Sequence, residues 1–433
     1  MPRLFWASYR GKFDYFFYIR YNPSVKEKLF LSEPGIACAA GMDAAAFWKA
    51  LTTGSQDGLV KVKTHSGREF YAAKIADGDL KKTQARYDMR VIQIEDAALE
   101  QIAPTVQAAK QKYGDARIAV CVGCCDNGSE FSVAGHREYF EKGSFPKNYS
   151  LEIQSADYPA TYIKEKFGLS GPALVFATAC SSSGSAIAKG AELIMAGIAD
   201  AAIVGGVDVA SDTVLLGFDS LEAVSDTKTN PFSKNRSGIT LGEGAAFFVL
   251  TKDMALAKGS AAVSVELLGF GQSADASHMT APLADGSGAL AAMKEALKNS
   301  GLKADQIDYM NLHGTGTKLN DSMEAKAVAE CFKDHCASLP ASSTKPMTGH
   351  TLGASSAVEL AVCWLAIVNN DSAAANEIQL PLHVYDGQDD PDLERLNFIQ
   401  KGAKFNRKIN VCMSNSFGFG GCNVSLIIGK TDA

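Results

Sequence analysis

Three side chains in this sequence have the types and settings needed for nucleophilic acyl chemistry. Cys180 stands where the apolar run A-L-V-F-A-T-A-C meets S-S-S-G-S-A-I-A-K-G-A-E-L-I-M-A-G, a strand leading into a helix. A thiol at a helix start faces unpaired N–H groups and the positive end of the helix dipole, and both favour the thiolate. Its neighbours Ala179, Ser181 and Ser182 are small enough to admit a substrate. His313 opens H-G-T-G-T after a second apolar run, and His350 lies in K-P-M-T-G-H-T-L-G-A, a tight turn before another helix. Any one of these alone reads as structural. Together, a cysteine at a helix start and two glycine-flanked imidazoles point to a covalent thioester, with N–H donors nearby for developing negative charge. The glycine run Gly418–Gly421 lacks the G-K-S/T of a phosphate loop and precedes an apolar strand, so it reads as a turn aiming backbone N–H groups into a site.

The elements that must position these groups alternate. Strands are expected at Ala116–Val122, Ala173–Ala177, Ala201–Val204, Ala245–Leu250, Val263–Gly269, Tyr309–Leu312, Val411–Met413 and Val424–Ile428. Helices are expected at Ala44–Leu51, Met89–Lys112, Tyr158–Phe167, Ser183–Ala196, Gly288–Ser300, Ser322–Phe332 and Ser355–Val368. Such alternation implies an α/β protein with sheets covered by helices. No low-complexity linker divides the chain. The halves look loosely alike: a strand runs into Cys180 in the first and into His313 in the second.

Composition narrows the function classes. The net charge of -6 gives no basic footprint for nucleic acid. An acidic partner would need a local basic patch, for which Lys61, Lys63, Lys74, Lys81, Lys82, Arg86 and Arg90 are the candidates. Of the 10 cysteines, Cys121, Cys124 and Cys125 lie close together in an apolar run. Without a second ligand pair they read as buried thiols of a reducing cytoplasm, with no metal site. Neither a signal peptide nor a membrane span is expected. The aromatic and basic stretch 1–29 reads as an extension upstream of the fold.

The ordered motifs T-A-C-S-S-S, N-L-H-G-T-G-T-K-L-N-D, S-S-T-K-P-M-T-G-H-T-L-G-A and N-S-F-G-F-G-G resemble those of the β-ketoacyl-acyl carrier protein synthases, in their elongating Cys-His-His branch. N-P-F-S-K-N-R-S-G-I-T-L-G-E-G-A and D-A-S-H-M-T-A-P match too, so the resemblance runs from Phe30 to the C-terminus. It implies a thiolase-like fold, two similar halves (30–275 with the nucleophile, 276–433 with the histidines) in a five-layered αβαβα sandwich. It also implies a dimer, either of identical chains or with a chain-length-factor-like subunit. The implied reaction loads an acyl group from an acyl carrier protein onto Cys180 and condenses it with malonyl-carrier protein as carbon dioxide leaves. Substrates ride on phosphopantetheine, and the enzyme itself needs no cofactor.

The same resemblance assigns supporting roles. Phe419 matches an aromatic beside the acyl chain whose N–H joins that of Cys180 around an oxyanion. Lys345 and Glu359 match a buried ion pair, and Thr315 and Thr317 match positions binding the pantetheine arm. Lys82 and Arg86 match a basic helix that docks the carrier, and Asn311, Glu324, Glu359 and Asn415 a structural cation site of some relatives. Three departures stand out: Cys422 for a usual Thr, Ala276 for a usual aromatic, and Asp126 where an apolar or glycine residue floors the acyl pocket. A carboxylate there implies short, polar or aromatic-ended acyl groups, or a pocket shaped by another subunit. Primary fatty-acid elongation and polyketide or aryl-polyene synthesis both fit. A catalytically inert chain-length factor would lack Cys180, and a biosynthetic thiolase would need a second catalytic cysteine, for which Cys422 is the alternative.

Overall fold

The computed structural model describes residues 27–431 except 127, 148, 375, 376 and 406, so most of the 1–29 extension lies outside the described residues. A twelve-stranded sheet runs through the molecule. In its first half, Ala173–Phe176, Ile118–Gly123 and Ala201–Asp208 lie parallel side by side, followed by antiparallel Gly244–Thr251 and Gly35–Cys38. In the second, Pro340–Ser342, Tyr309–Asn311 and Val411–Phe417 lie parallel, followed by antiparallel Cys422–Thr431 and Ser264–Ala274. The halves thus share one strand order and sense. Ser264–Ala274, which precedes residue 275, pairs along its length with Cys422–Thr431 of the second half.

Alternation along the strands creates the layers. On Ile118–Gly123, Ala119 and Cys121 face a central core shared with helices Ser182–Met195 and Ser355–Asn369. Ile118, Val120 and Val122 face an outer core with helices Arg90–Tyr113 and Tyr158–Phe167. Helices Ser287–Ser300 and Lys318–Phe332 close the far side. The result is the expected αβαβα sandwich. Leu352–Asn369 is apolar and long enough to cross a membrane, but 89% of it is buried inside the fold, where it forms the central layer. All ten cysteines are free thiols.

The shared topology shows which turns correspond. Ala173–Phe176, the strand before Cys180, occupies the place that Pro340–Ser342 holds in the other half. The counterpart of the Cys180 turn is therefore the turn carrying Lys345 and His350, whereas His313 follows the strand equivalent to Ile118–Gly123. Among the helices not expected are Ser129–Lys142, which is largely exposed, and Asp212–Ser220, in which Leu215 is the buried residue.

Candidate active site

Cys180 sits on a sharp turn between Ala173–Phe176 and the helix starting at Ser182. The residue before it, Ala179, has φ +53°, a left-handed conformation that costs a residue with a Cβ of the order of 1 kcal/mol. The turn is held by Ser181 Oγ donating to Thr178 O (2.8 Å) and Ser182 Oγ to Ala179 O (2.6 Å). Ser356, on the opposing central helix, donates to Cys180 O at 3.2 Å.

His350 comes to the sulfur from the other half, its Nε2 2.9 Å from Cys180 Sγ. The His313 ring lies edge-on to His350, with centroids 5.3 Å apart. Behind them, the Lys345 ammonium pairs with Glu359, donates to His313 O and stands 3.3 Å from His313 Nδ1. Ammonium can only donate, so Nδ1 accepts and the ring proton of neutral His313 belongs on Nε2. Glu324 holds the His313 turn from below, accepting from the N–H groups of His313 and Gly314 at 2.7 Å each.

Burial sets the charges. It pushes the pKa of both imidazoles well below 6.5, helped by the positive charge of Lys345, so both are neutral. It pushes the Cys180 thiol up to about 11, against the charge of Lys345 and the backbone N–H groups of Phe419 and Cys180 that reach the sulfur. Burial therefore opposes the thiolate that the helix start and the Lys345 charge favour. His350 Nε2, 2.9 Å from the sulfur, is within reach of the thiol proton. Glu324 is likewise pushed up by burial, to about 8.

A cavity of about 460 Å³ opens over these groups. Thr315, Thr317, Phe417 and Phe419 are among its walls, and His278 and Thr280 belong to its rim. Thr315 and Thr317 share a hydroxyl hydrogen bond of 3.0 Å, and Thr317 also caps the helix Lys318–Phe332. Phe419 stacks on Phe218 at 5.7 Å, in a turn whose Gly420 and Gly421 have φ of +81° and +79°. A Cβ at Gly421 would meet that of Asp275 at 2.7 Å, so only glycine lets this turn close over the cavity. Cys422 follows the turn, and Ala276 on the neighbouring loop takes φ +49°.

Other expected residues lie differently. Asp126 is absent from the cavity wall: its carboxylate accepts from Gly128 N (2.9 Å), Ser129 Oγ (2.6 Å) and Tyr158 OH (2.8 Å). These bonds anchor the start of the helix Ser129–Lys142 and satisfy the buried carboxylate. Lys82 and Arg86 are not on a basic helix. Lys82 lies in an exposed irregular segment, Arg86 in a single turn, and the Arg86 guanidinium is engaged by Glu152 and Glu165. Of the four residues expected around a cation, Glu324 accepts backbone donors, Glu359 takes Lys345, and Asn415 Oδ1 accepts from Ser425 (2.8 Å). Only Asn311 among them has unpartnered amide atoms.

Cys180, His313 and His350 could also serve as metal ligands by type, their ligand atoms lying within 4.8 Å of one another. The Lys345 ammonium beside His313 already supplies a positive charge there, which opposes a divalent cation. Sequence reasoning missed Asp208, buried and pushed up to about 7, which accepts from Cys125 N (3.1 Å) and Gly353 N (2.8 Å) and so ties the two halves beneath the site. A buried aspartate ending the strand Ala201–Asp208 was the available signal.

Comparison with known proteins agrees with this geometry. Residues 35–255 match the beta-ketoacyl synthase N-terminal domain and residues 265–375 its C-terminal domain. The 3-oxoacyl-acyl-carrier-protein synthase 2 of Coxiella burnetii is 30% identical, over 94% of this chain and 99% of that one. Its namesake from Vibrio cholerae is 32% identical, over 93% and 99%. Among solved structures, the ketosynthase ApeO of Xenorhabdus doucetiae, in complex with its chain length factor ApeC, superposes with a TM-score of 0.83 at 34% identity, covering 94% of this chain and 98% of that one. With both domains matched and relatives aligned end to end, this chain belongs to the beta-ketoacyl synthase family of condensing enzymes.

Proposed function

We propose that the chain elongates an acyl group bound to Cys180 with malonyl-acyl carrier protein, giving 3-oxoacyl-carrier protein and carbon dioxide. The observation that carries this reading is the 2.9 Å approach of His350 Nε2 to Cys180 Sγ, with His313 beside it and two backbone N–H groups on the sulfur. In the first half-reaction, His350 takes the thiol proton and the sulfur attacks the donor thioester. The oxyanion is received by the N–H groups of Cys180 and Phe419. Collapse expels the carrier thiol, which recovers the proton, and leaves acyl-Cys180.

In the second, the bond from the malonyl carbon to its carboxylate breaks and the electron pair moves into the thioester enolate. Neutral His313, its proton on Nε2, donates N–H to that oxygen, and His350 does so in the tautomer that carries its ring proton on Nε2. The enolate carbon then attacks acyl-Cys180 and releases the sulfur as thiolate, so the carbon–carbon bond forms as the carbon–sulfur bond breaks, and a proton from solvent restores the thiol. Lys345 and Glu359 hold His313 neutral and oriented, while Thr315 and Thr317 line the path of the pantetheine arm.

The edge strand Ala173–Phe176 supports assembly with a second subunit. Among the described residues it is paired on one side only, Leu174 is 38% exposed, and the helix Ser129–Lys142 carries Phe140 at 83% exposure. The likeness to ApeO, solved with a chain length factor, favours a specialised heterodimer over a fatty-acid homodimer. Incubation with malonyl-carrier protein and a panel of acyl-carrier donors, followed by intact mass measurement, tests the reading. We expect a donor-dependent mass increment on wild type that Cys180→Ala abolishes, and an increment that persists in Cys180→Ala refutes it.

A further inference from the structure

Building on the carrier-dependent reading above, we propose that the acidic carrier protein docks on the shelf formed by Lys234, Lys318 and Lys326, and not on the segment holding Lys82 and Arg86. The shelf is a groove that shares Pro282, Lys318 and Leu319 with the wall of the active-site cavity, so it begins where that cavity opens. Thr317 lies inside the cavity, and the next residue, Lys318, belongs to both walls.

Charge separates the two surfaces. The shelf holds four cations (Lys234, Arg236, Lys318, Lys326) against two carboxylates (Asp390, Asp392). Arg236 and Asp390 neutralise one another in an ion pair that is 6% and 13% exposed. Lys234, Lys318 and Lys326 then face Asp392 and, beside Lys326, Asp285, a surplus of one positive charge on a chain whose net charge is -6. All three lysines are exposed and none forms an ion pair among the described residues. Lys326 makes only a 3.2 Å bond to the Ala284 carbonyl, which leaves donors free.

Arg86 stands in the opposite situation. Its groove holds Glu152, Asp157 and Glu165 and no second cation, and two of those acids already engage it. A carboxylate-rich partner arriving there would meet like charge. The shelf also offers apolar contact: Leu319, 59% exposed, stands between the lysines and the cavity rim. Lysines flanking an exposed leucine complement an amphipathic acidic helix, and a phosphodiester at the base of the thiol arm would meet Lys318 as the arm enters past Thr317.

The test compares wild type, Lys234→Glu/Lys326→Glu and Lys82→Glu/Arg86→Glu in titrations with a fluorescently labelled holo-acyl carrier protein from a bacterial fatty-acid system. Circular dichroism checks each fold, and Lys234→Ala/Lys326→Ala replaces the first variant if it misfolds. We expect about a tenfold weaker Kd for the shelf variant, a flatter salt dependence, and a change below about twofold for Lys82→Glu/Arg86→Glu. Unchanged affinity in the shelf variant, or an equal loss in the Lys82/Arg86 variant, overturns the shelf. So does an equal loss of Cys180 acylation from an acyl-coenzyme A donor, which would mean that the lysines read only a phosphate. Wild type that neither binds carrier nor takes an acyl group from it overturns the parent reading, and the shelf with it.

Discussion

Replacing Glu359 with Leu should cost far more than replacing Glu359 and Lys345 together. The two side chains are 2% and 1% exposed, and the ammonium has no access to water. Glu359→Leu leaves a buried positive charge whose remaining partners are the carbonyl and ring nitrogen of His313. Orphaning one member of such a pair costs about 3–5 kcal/mol, whereas removing both charges leaves stability within about 1–2 kcal/mol of the parent. Lys345→Met alone should fall between, because burial already favours a protonated Glu359 that can shed its charge. Urea denaturation can be followed through Trp364, which is buried on the same helix as Glu359. The pH profile of condensation supplies a second readout. The charge of Lys345 lowers the pKa of His313 and His350, and activity falls as pH drops through those values because protonated His350 cannot take the Cys180 proton. Removing the charge raises both imidazole values toward 6.5, so the acid limb of Lys345→Met/Glu359→Leu should move to higher pH. A Glu359→Leu protein as stable as the double variant, or an acid limb that stays in place, would refute the electrostatic account.

His350→Ala should slow iodoacetamide alkylation of Cys180 at pH 7 by roughly a hundredfold, because a thiol pushed up to about 11 depends on that imidazole as its base; peptide mass mapping at timed quenches reads the rate, and an unchanged rate means another base serves. Asp126→Ala should destabilise by about 2–3 kcal/mol, through loss of the helix anchor and an unpaired Tyr158 hydroxyl, while leaving the order of preferred acyl donors intact. Thermal melts and a donor panel check this, and a switch in donor preference contradicts the placement. Glu95→Leu should stabilise by about 1–3 kcal/mol, since both carboxyl oxygens are buried without partners among the described residues. Burial raises the Glu95 pKa above its unfolded value, so wild-type stability contributed by the neutral form declines as pH rises above 4.5. The advantage of the variant in urea titrations should therefore grow from pH 5 to pH 7, and a constant advantage would refute that origin. Gly421→Ala should lower condensation at least about tenfold with little loss of helix signal, because its Cβ forces Asp275 and the Phe419 turn apart.

The parts of this protein that were legible in sequence are those fixed by neighbours along the chain. Tyr158–Phe167 forms the expected helix, and Arg90–Tyr113 and Ser182–Met195 lie within a residue of their expected spans, because apolar spacing and a following glycine are local signals. Cys180 and His313 were legible because each follows an apolar run beside small residues, and His350 because it sits in a glycine-flanked turn before a helix. What failed depends on partners brought in by folding. Arg86 looks like a free cation until Glu165, 79 residues later, folds against it. Asp126 looks like a pocket carboxylate until Tyr158, 32 residues later, donates to it. For Cys180 the sequence shows the helix start, a local feature that favours the thiolate, whereas the burial that opposes it comes from both halves.

The deeper organisation was present in the sequence but needed the sheet to be seen. T-A-C-S-S-S at Thr178–Ser183 and T-L-G-A-S-S at Thr351–Ser356 are the same turn, used once in each half. Ala179 and Leu352 both take φ +53°, each opens a short helical turn, and each leads into one of the two central helices. In that alignment the position of Cys180 is filled by Gly353, so one copy supplies the nucleophile and the other leaves room beside it. The helix starts then lock together: Ala357 N donates to Ser183 Oγ at 3.0 Å and Ser356 Oγ to Cys180 O at 3.2 Å. A Cβ on Gly184 would come within 2.9 Å of Val424 and 3.0 Å of Ser356, which leaves no slack for another residue. His350, two residues before the second turn's left-handed residue, is thereby set against the sulfur of the first. The distance between nucleophile and base is a packing distance between two helix starts, so substitutions at Gly184, Ser183 or Ser356 should reach the chemistry without touching substrate.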